Sequence, residues 1–479
     1  MLLTQLIQAP VKLVLQNVLP IALLVMGSAC ASAESVDVFS TQGLAPVLIT
    51  GNLLPERQAP CSLKTAGKFT LADVVEYALC NNPQTREAWA SARYQAAQVG
   101  VGEAAYLPKL DGSGGVSLNS SNQSKGSSSD YRQVNAGLSA GYVLYDFGAR
   151  DANLENNRQV LAAANANQDA VLQTVFLSAV QGYYQMFAAR AAVDAAMETE
   201  KTDQESLNAA AARYNTGVGT PADKLQAQTA YSQAVLTRVR ANGDLKSAQG
   251  VLANAMGLDA NASIDIDTPA TLNPPATFEQ DVGQLINDGR SRRPDLVAAE
   301  AQIKAAEASV EAAKAAGMPV ISASTALSFT NTNIADSSHN AALGLQVNIP
   351  IFTGYENTYR IRAAQEQVDV KQAQREKLSQ QIALDVWKAY QSLVTETQAV
   401  RSSQDLLASA TQSEKVALGR YKAGVGNIID VLTAQSALAN ALQQNIQALY
   451  SWYIARAALA QSIGQLDMTA ISPEHATQP

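Results

Sequence analysis

The chain has 479 residues, a formal net charge of −8, and only 16% Asp, Glu, Lys and Arg. That acidic balance excludes a nucleic-acid partner held through phosphate contacts. Hydrophobic residues make up 47%, much of it alanine, so the length is expected to be spent on closely packed helices rather than one bulky core.

The N-terminus carries the marks of export. Lys12 is the only charge before Glu34, a mostly apolar run extends from Leu13 to Met26, and small residues follow. Ala31-Ser32-Ala33 fits a small-x-small cleavage site, so residues 1–33 read as a signal peptide. A second reading is lipid attachment at Cys30, although Gly27 stands where a lipoprotein signal usually has Leu. After Ala33 no apolar run reaches the roughly 18–20 residues of a membrane helix. The mature chain is then expected to meet a bilayer only through strands or a lipid. Residues 34–69 read as an extended N-terminal segment. Cys61 and Cys80 would remain after cleavage, and an even pair in an exported chain suggests a disulfide. Two unpaired buried thiols are the alternative.

Residues 70–268 form a first repeat. Pro83 sits where a first-turn proline is tolerated, and the Ala-rich stretch Gln84–Ala105 reads as a helix stopped by Pro108. Gly100-Val101-Gly102 falls inside that helix without a preceding strand, so it is not a phosphate loop. Strands follow: Leu138, Ala140, Tyr142 and Leu144 alternate, while Gly112, Gly114 and Gly115 weaken an earlier strand. Asn119–Asn135 reads as a polar loop between them. From about Asp151 to Tyr214 there is no proline and almost no glycine, which predicts a helix on the order of 90–100 Å. Gly217-Val218-Gly219 breaks it, and Pro221–Ala255 returns as an antiparallel partner.

Residues 269–277 read as a Pro-containing linker, and 278–464 repeat the pattern. Pro294 and Pro319 keep the spacing of Pro83 and Pro108, and Asp295–Ala316 reads as the matching helix. Ile321, Ala323, Thr325, Leu327 and Phe329 alternate in one strand. Leu343, Leu345, Val347, Ile349 and Ile351 alternate in the next, with a polar loop Thr330–Asn340 between. A second long helix is expected from about Glu356 to Tyr421. Its apolar stripe, Leu378, Ile382, Val386, Tyr390 and Leu393, is of the kind that packs helices as coiled coils. Arg213-Tyr214-Asn215-Thr216-Gly217-Val218-Gly219 recurs as Arg420-Tyr421-Lys422-Ala423-Gly424-Val425-Gly426, and Asn427–Ile463 returns. Residues 465–479 read as a C-terminal tail. A repeat this long is a duplicated half-domain, not a solenoid unit.

Four strands cannot close a membrane barrel, whose smallest members have about eight, and an open edge in lipid leaves backbone groups unsatisfied. Strands from several chains must therefore share one barrel. Eight strands enclose a space just filled by side chains, so a conducting barrel favours three chains and twelve strands. The fold class expected is mainly α with a membrane β-barrel part, in two tandem halves of helix, two strands, long helix and helix. His339 and His475 are the only histidines, and no catalytic triad, metal cluster or cofactor motif accompanies them. No enzyme activity, metal or cofactor is expected.

The signal sequence, the tandem halves and the paired R-Y-x-x-G-V-G tips resemble the TolC family of outer-membrane efflux and secretion channels, the outer membrane factors. Leu71–Glu76 and Cys80–Arg86 resemble the family's opening helix. The resemblance implies a homotrimer in the cell outer membrane, with a twelve-stranded barrel on a helical periplasmic tunnel. It implies a passive exit duct of a tripartite efflux or type I secretion system. Its partners would be outer-membrane lipid, a periplasmic membrane-fusion adaptor and an inner-membrane pump of RND or ABC type. The tips Gly217, Val218, Gly219, Gly424, Val425 and Gly426 would dock the adaptor; on local grounds the same glycines simply end helices. Asp223, Tyr421 and Asp430 match positions of the family's periplasmic gate. Gly426 stands where some members carry Arg, and Arg213 or Arg420 could take its part. Thr433 replaces a second acid near Asp430. Asp223 and Asp430 could equally be first-turn caps of their helices. A periplasmic coiled-coil adaptor or structural protein that never enters the membrane is the alternative function.

Overall fold

The computed structural model describes residues 37–46, 67–121, 129–267 and 281–468. It divides into two compact units, Met1–Leu44 and Ala45–Pro479. In the first, the described part is one turn of 3-10 helix, Thr41–Leu44. The Asp37 carboxylate accepts from the backbone N–H groups of Gln42 at 2.8 Å and Thr41 at 2.9 Å, which lowers its pKa.

The second unit repeats one plan. Its first half runs α1 (Leu71–Asn81), α2 (Pro83–Ala104), β1 (Lys109–Ser121), β2 (Ser129–Tyr145), α3 (Ala149–Asn215) and α4 (Pro221–Ala255). The second runs α5 (Val282–Arg292), α6 (Pro294–Ala315), β3 (Val320–Thr332), β4 (Ser338–Asn348), α7 (Glu356–Lys422) and α8 (Ile428–Ser462). Corresponding helices have equal lengths of 11, 22, 67 and 35 residues. At 1.5 Å per residue α3 and α7 are each about 100 Å long.

Local chemistry sets the helix ends. Thr70 and Asp73 form a reciprocal capping box at α1, and Asn82 caps α2 ahead of Pro83. The helix then stops just before Pro108, and α6 stops before Pro319 in the same way.

α3 packs against α2, α4, α6 and α8, while α7 packs against α5, α6 and α8. The main core gathers midway along the long helices. Val74 and Leu79 of α1, Phe176 and Tyr183 of α3, Leu252 of α4, Ile382 and Val386 of α7, and Trp452 of α8 are all buried there. Each large side chain so buried contributes about 1.5–3 kcal/mol. Tyr184 stacks on Tyr453 at 4.7 Å, and the Trp452 indole N–H donates to Thr397 Oγ1 at 3.1 Å. Burial pushes the Tyr183 and Tyr184 hydroxyls above the ordinary phenol range. Away from this core the contacts are small: Ala163 and Ala166 of α3 meet Ala298 and Ala301 of α6. Alanine seams let helix backbones approach closely but yield little per residue, so long contacts make up the difference.

Three expectations change. The expected loops 119–135 and 330–340 are strand at both their ends, since β1 extends to Ser121, β2 begins at Ser129, and β3 and β4 reach Thr332 and Ser338. The last strand stops at Asn348 rather than Ile351, because Pro350 has no N–H to give the ladder. Helix α5 was not among the expected elements: it contains two glycines and few apolar residues, although Asp281 caps it and Arg290 and Arg292 stand in its last turn, and it packs against α7. The 269–277 linker, the 465–479 tail past Met468 and the signal-peptide residues lie outside the described residues.

Candidate functional site

Two regions answer the functional expectations: the sheet at one end of the helices and the paired turns at the other. The sheet is an antiparallel meander in the order β1-β2-β3-β4. Directly paired residues share a face, so the register sorts the side chains. One face carries Leu110, Leu138, Leu327, Leu343, Leu345 and Val347. The other carries Asp111, Ser139, Ser324, Ser328, Gly344 and Gln346. Ser, Gly, Asn, Thr and Ala dominate this second face, which explains why it left no apolar trace in the sequence. The apolar face lies open: Leu343 is 87% exposed and Leu345 76%. A soluble protein buries such a face, whereas a lipid-facing strand displays it.

Aromatic pairs bracket this face. Tyr145 and Phe147 meet edge-on at 4.7 Å and Phe352 and Tyr355 at 5.7 Å, all beside the helices. Phe329 lies 5.0 Å from His339 near the far end. Rings at both ends of an apolar strand band are the arrangement of membrane β-barrels. Among the described residues no helix is long and apolar enough to cross a membrane.

At the other end α3 and α7 finish in the same turn. Gly217 and Gly424 adopt φ of +78° and +77°, the left-handed conformation that ends a helix. Val218 N–H then donates to Arg213 O and Val425 N–H to Arg420 O, both at 3.0 Å. A Cβ on Gly219 would stand 3.0 Å from Tyr214 N, and one on Gly426 2.9 Å from Tyr421 N. All four glycines are thus demanded by the turn itself. The valines are not, and both Val218 and Val425 are 70% exposed.

The expected gate residues have different local partners. Asp223 closes a capping box at the start of α4: Thr220 N–H donates to its carboxylate and Asp223 N–H to Thr220 Oγ1, both at 3.2 Å. Asp430 lies in the first turn of α8, where Asn427 is the cap. Tyr421 is buried against Ile428 and Val431. Arg213, from the other hairpin, places its guanidinium 4.9 Å from the Tyr421 ring centroid and donates to the Tyr421 carbonyl at 3.4 Å. The structure therefore brings Tyr421 together with Arg213.

One turn and more above, Gln435 of α8 donates to Ser206 Oγ of α3 at 3.0 Å in a buried pair. Asp203 lies on the same side of α3 and is buried; desolvation pushes its carboxyl up to about 6. Sequence reasoning passed over these three. Their only signal was polar side chains recurring three and four apart on an otherwise alanine-rich face. Cys80 is disulfide-bonded, whereas Cys61, Cys30 and His475 lie outside the described residues.

The sequence profile of the outer membrane efflux protein family matches residues 74–258 and 285–465, the two halves just described. The chain belongs to this family. As an outer membrane efflux protein it is similar to Protein CyaE of Bordetella pertussis, 30% identical over 443 residues, covering 91% of this chain and 93% of that one. It is also similar to the outer membrane efflux protein BepC of Brucella suis, 26% identical over 432 residues, covering 88% and 90%. Among solved structures, the Campylobacter jejuni CmeC outer membrane channel superposes with a TM-score of 0.73 at 19% identity, covering 83% of this chain and 86% of that one. The open state of the Neisseria gonorrhoeae MtrE outer membrane channel gives 0.70 at 22% identity, covering 83% and 89%. These likenesses concern the fold. Family membership puts the chain among efflux proteins rather than enzymes.

Proposed function

We propose that three copies of this outer membrane efflux protein form a passive exit duct through the outer membrane and periplasm. One observation carries the reading: a four-stranded sheet with an exposed apolar face, a small polar face and both outer edges, β1 and β4, without a neighbouring strand among the described residues. In lipid those edges need partners, and β4 of one copy can pair with β1 of the next. Four strands from each of three copies make a twelve-stranded barrel whose polar face lines water. The long helices continue the passage into the periplasm.

At the far end the exposed Val218 and Val425 dock a periplasmic adaptor, with Gly217, Gly219, Gly424 and Gly426 shaping the turns that present them. The adaptor joins the duct to an inner-membrane pump of RND or ABC type, in efflux or in type I secretion. Tyr421, held by Arg213, keeps the entrance narrow, with Asp430 as an acidic ring around it and Asp223 as a helix cap. Cleavage after Ala33 or lipid attachment at Cys30 delivers the chain, and a Cys61–Cys80 bridge ties the N-terminal segment to α1.

Native mass measurement and planar-bilayer recording of the purified mature protein test the core of this reading. A trimer that forms discrete channels supports it. A monomer that does not insert overturns it in favour of a periplasmic coiled-coil protein.

A further inference from the structure

Below the sheet, α2 packs on α3, α3 on α6, and α6 on α7, so the four helices lie side by side. Their common face holds a cavity of about 820 Å³, inside the roughly 300–1,000 Å³ range of small-molecule sites. Its apolar lining includes Val160, Ala163, Val171 and Ala306. Its walls are carboxamides, among them Gln95, Asn167, Gln302 and Gln367. A carboxamide both donates and accepts hydrogen bonds and stays neutral at every pH.

Two charges complete the lining, Glu87 from α2 and Lys371 from α7. Lys371 Nζ donates to Gln302 Oε1 at 3.0 Å. Neither charge has an ion pair among the described residues, whereas Glu103, Glu300 and Asp385 on the same helices are bridged by Arg158, Arg375 and Arg293. The unbridged acid and base come from the first and last helices of the row.

We propose that this cavity binds a zwitterionic organic molecule: its ammonium or iminium end at Glu87, its carboxylate at Lys371, its apolar body on the apolar lining. Carboxamides along the walls accept varied polar substituents, so the site selects charge arrangement over detailed shape. The inference rests on the duct reading in one respect: in a closed ring, a face concave across four neighbouring helices is the inner one, so the occupant is cargo in passage.

The test uses full-length protein in a non-ionic detergent and two dyes. Rhodamine B is a zwitterion; rhodamine 6G shares its aromatic body but carries an ester in place of the carboxylate. Fluorescence anisotropy is expected to show saturable binding of rhodamine B and weaker binding of rhodamine 6G. Lys371→Gln is expected to weaken rhodamine B about tenfold and leave rhodamine 6G unchanged, the loss of one charge-assisted hydrogen bond. Glu87→Gln weakens both dyes. Absence of saturable binding, or equal binding by all three proteins, overturns the site. Bilayer recordings on the same preparations separate the two readings: channels without dye binding remove the site and keep the duct. Charge-dependent binding without channels keeps the site and removes the duct.

Discussion

The Arg213 guanidinium lies over the ring of Tyr421, tying the end of α3 to the end of α7 across the two hairpins of one chain. A cation over an aromatic face contributes about 0.5–1 kcal/mol where water has access. The contact adds to the Gln435–Ser206 pair that also links the two hairpins, so it resists the spreading of their ends. Arg213→Ala should therefore raise the open fraction of single channels several-fold, with three copies acting together. Tyr421→Phe keeps both the ring and the backbone carbonyl and should leave gating unchanged. Tyr421→Ala should behave like Arg213→Ala. Equal gating in all four proteins would remove this contact from the entrance.

The turns separate shape from recognition. Gly217 and Gly424 need positive φ, and Gly219 and Gly426 have backbone where a Cβ would stand. Alanine at any of them should cost about 1–2 kcal/mol of local stability, seen as faster amide exchange in the last turns of α3 and α7. Val218 and Val425 touch little of their own chain. Val218→Asp and Val425→Asp should change stability by less than about 0.5 kcal/mol. They should nevertheless abolish export in cells while the purified channels conduct normally. If export survives the double aspartate variant, the adaptor does not read these valines.

Much of this was legible beforehand, and what failed did so for physical reasons. The two long helices were visible because proline is absent and glycine almost absent for more than sixty positions, after which glycines come in pairs, as Gly217 and Gly219, Gly424 and Gly426. The outer parts of the strands were not, because Ser, Asn and Gly on a water-facing side resemble a loop until the partner strand supplies the register. Asp223 and Tyr421 stand at the ends of the two hairpins, and the family resemblance placed both at the gate, with a helix cap as the alternative for Asp223. The structure gives Asp223 to its own helix cap and Tyr421 to Arg213, a pairing 208 residues apart that no local pattern encodes.

Asp203 makes stability depend on pH in an identifiable direction. Burial raises its pKa to about 6, above the value of about 3.9 in an unfolded chain. Between those values the folded protein holds more protons than the unfolded one, so stability falls as pH rises through this window and levels off above it. Asp203→Asn removes the ionisation. Its melting temperature should exceed wild type by a few degrees at pH 7.5, and the gain should vanish near pH 4. A gain that is the same at both values would mean that Asp203 does not ionise within the folded core.

Leu345 and Gln346 are neighbours in β4 that point to opposite faces of the sheet. Lysine on a lipid-facing site costs about 2–4 kcal/mol near the bilayer midplane, whereas a lysine in a wet lumen stays hydrated. Leu345→Lys should therefore prevent insertion, leaving little heat-resistant oligomer in outer-membrane fractions. Gln346→Lys should insert at wild-type levels and shift conductance towards anions, since one new cation per copy would ring the pore. Insertion of both variants would argue that the apolar face meets protein instead of lipid. Failure of Gln346→Lys alone would reverse the two faces.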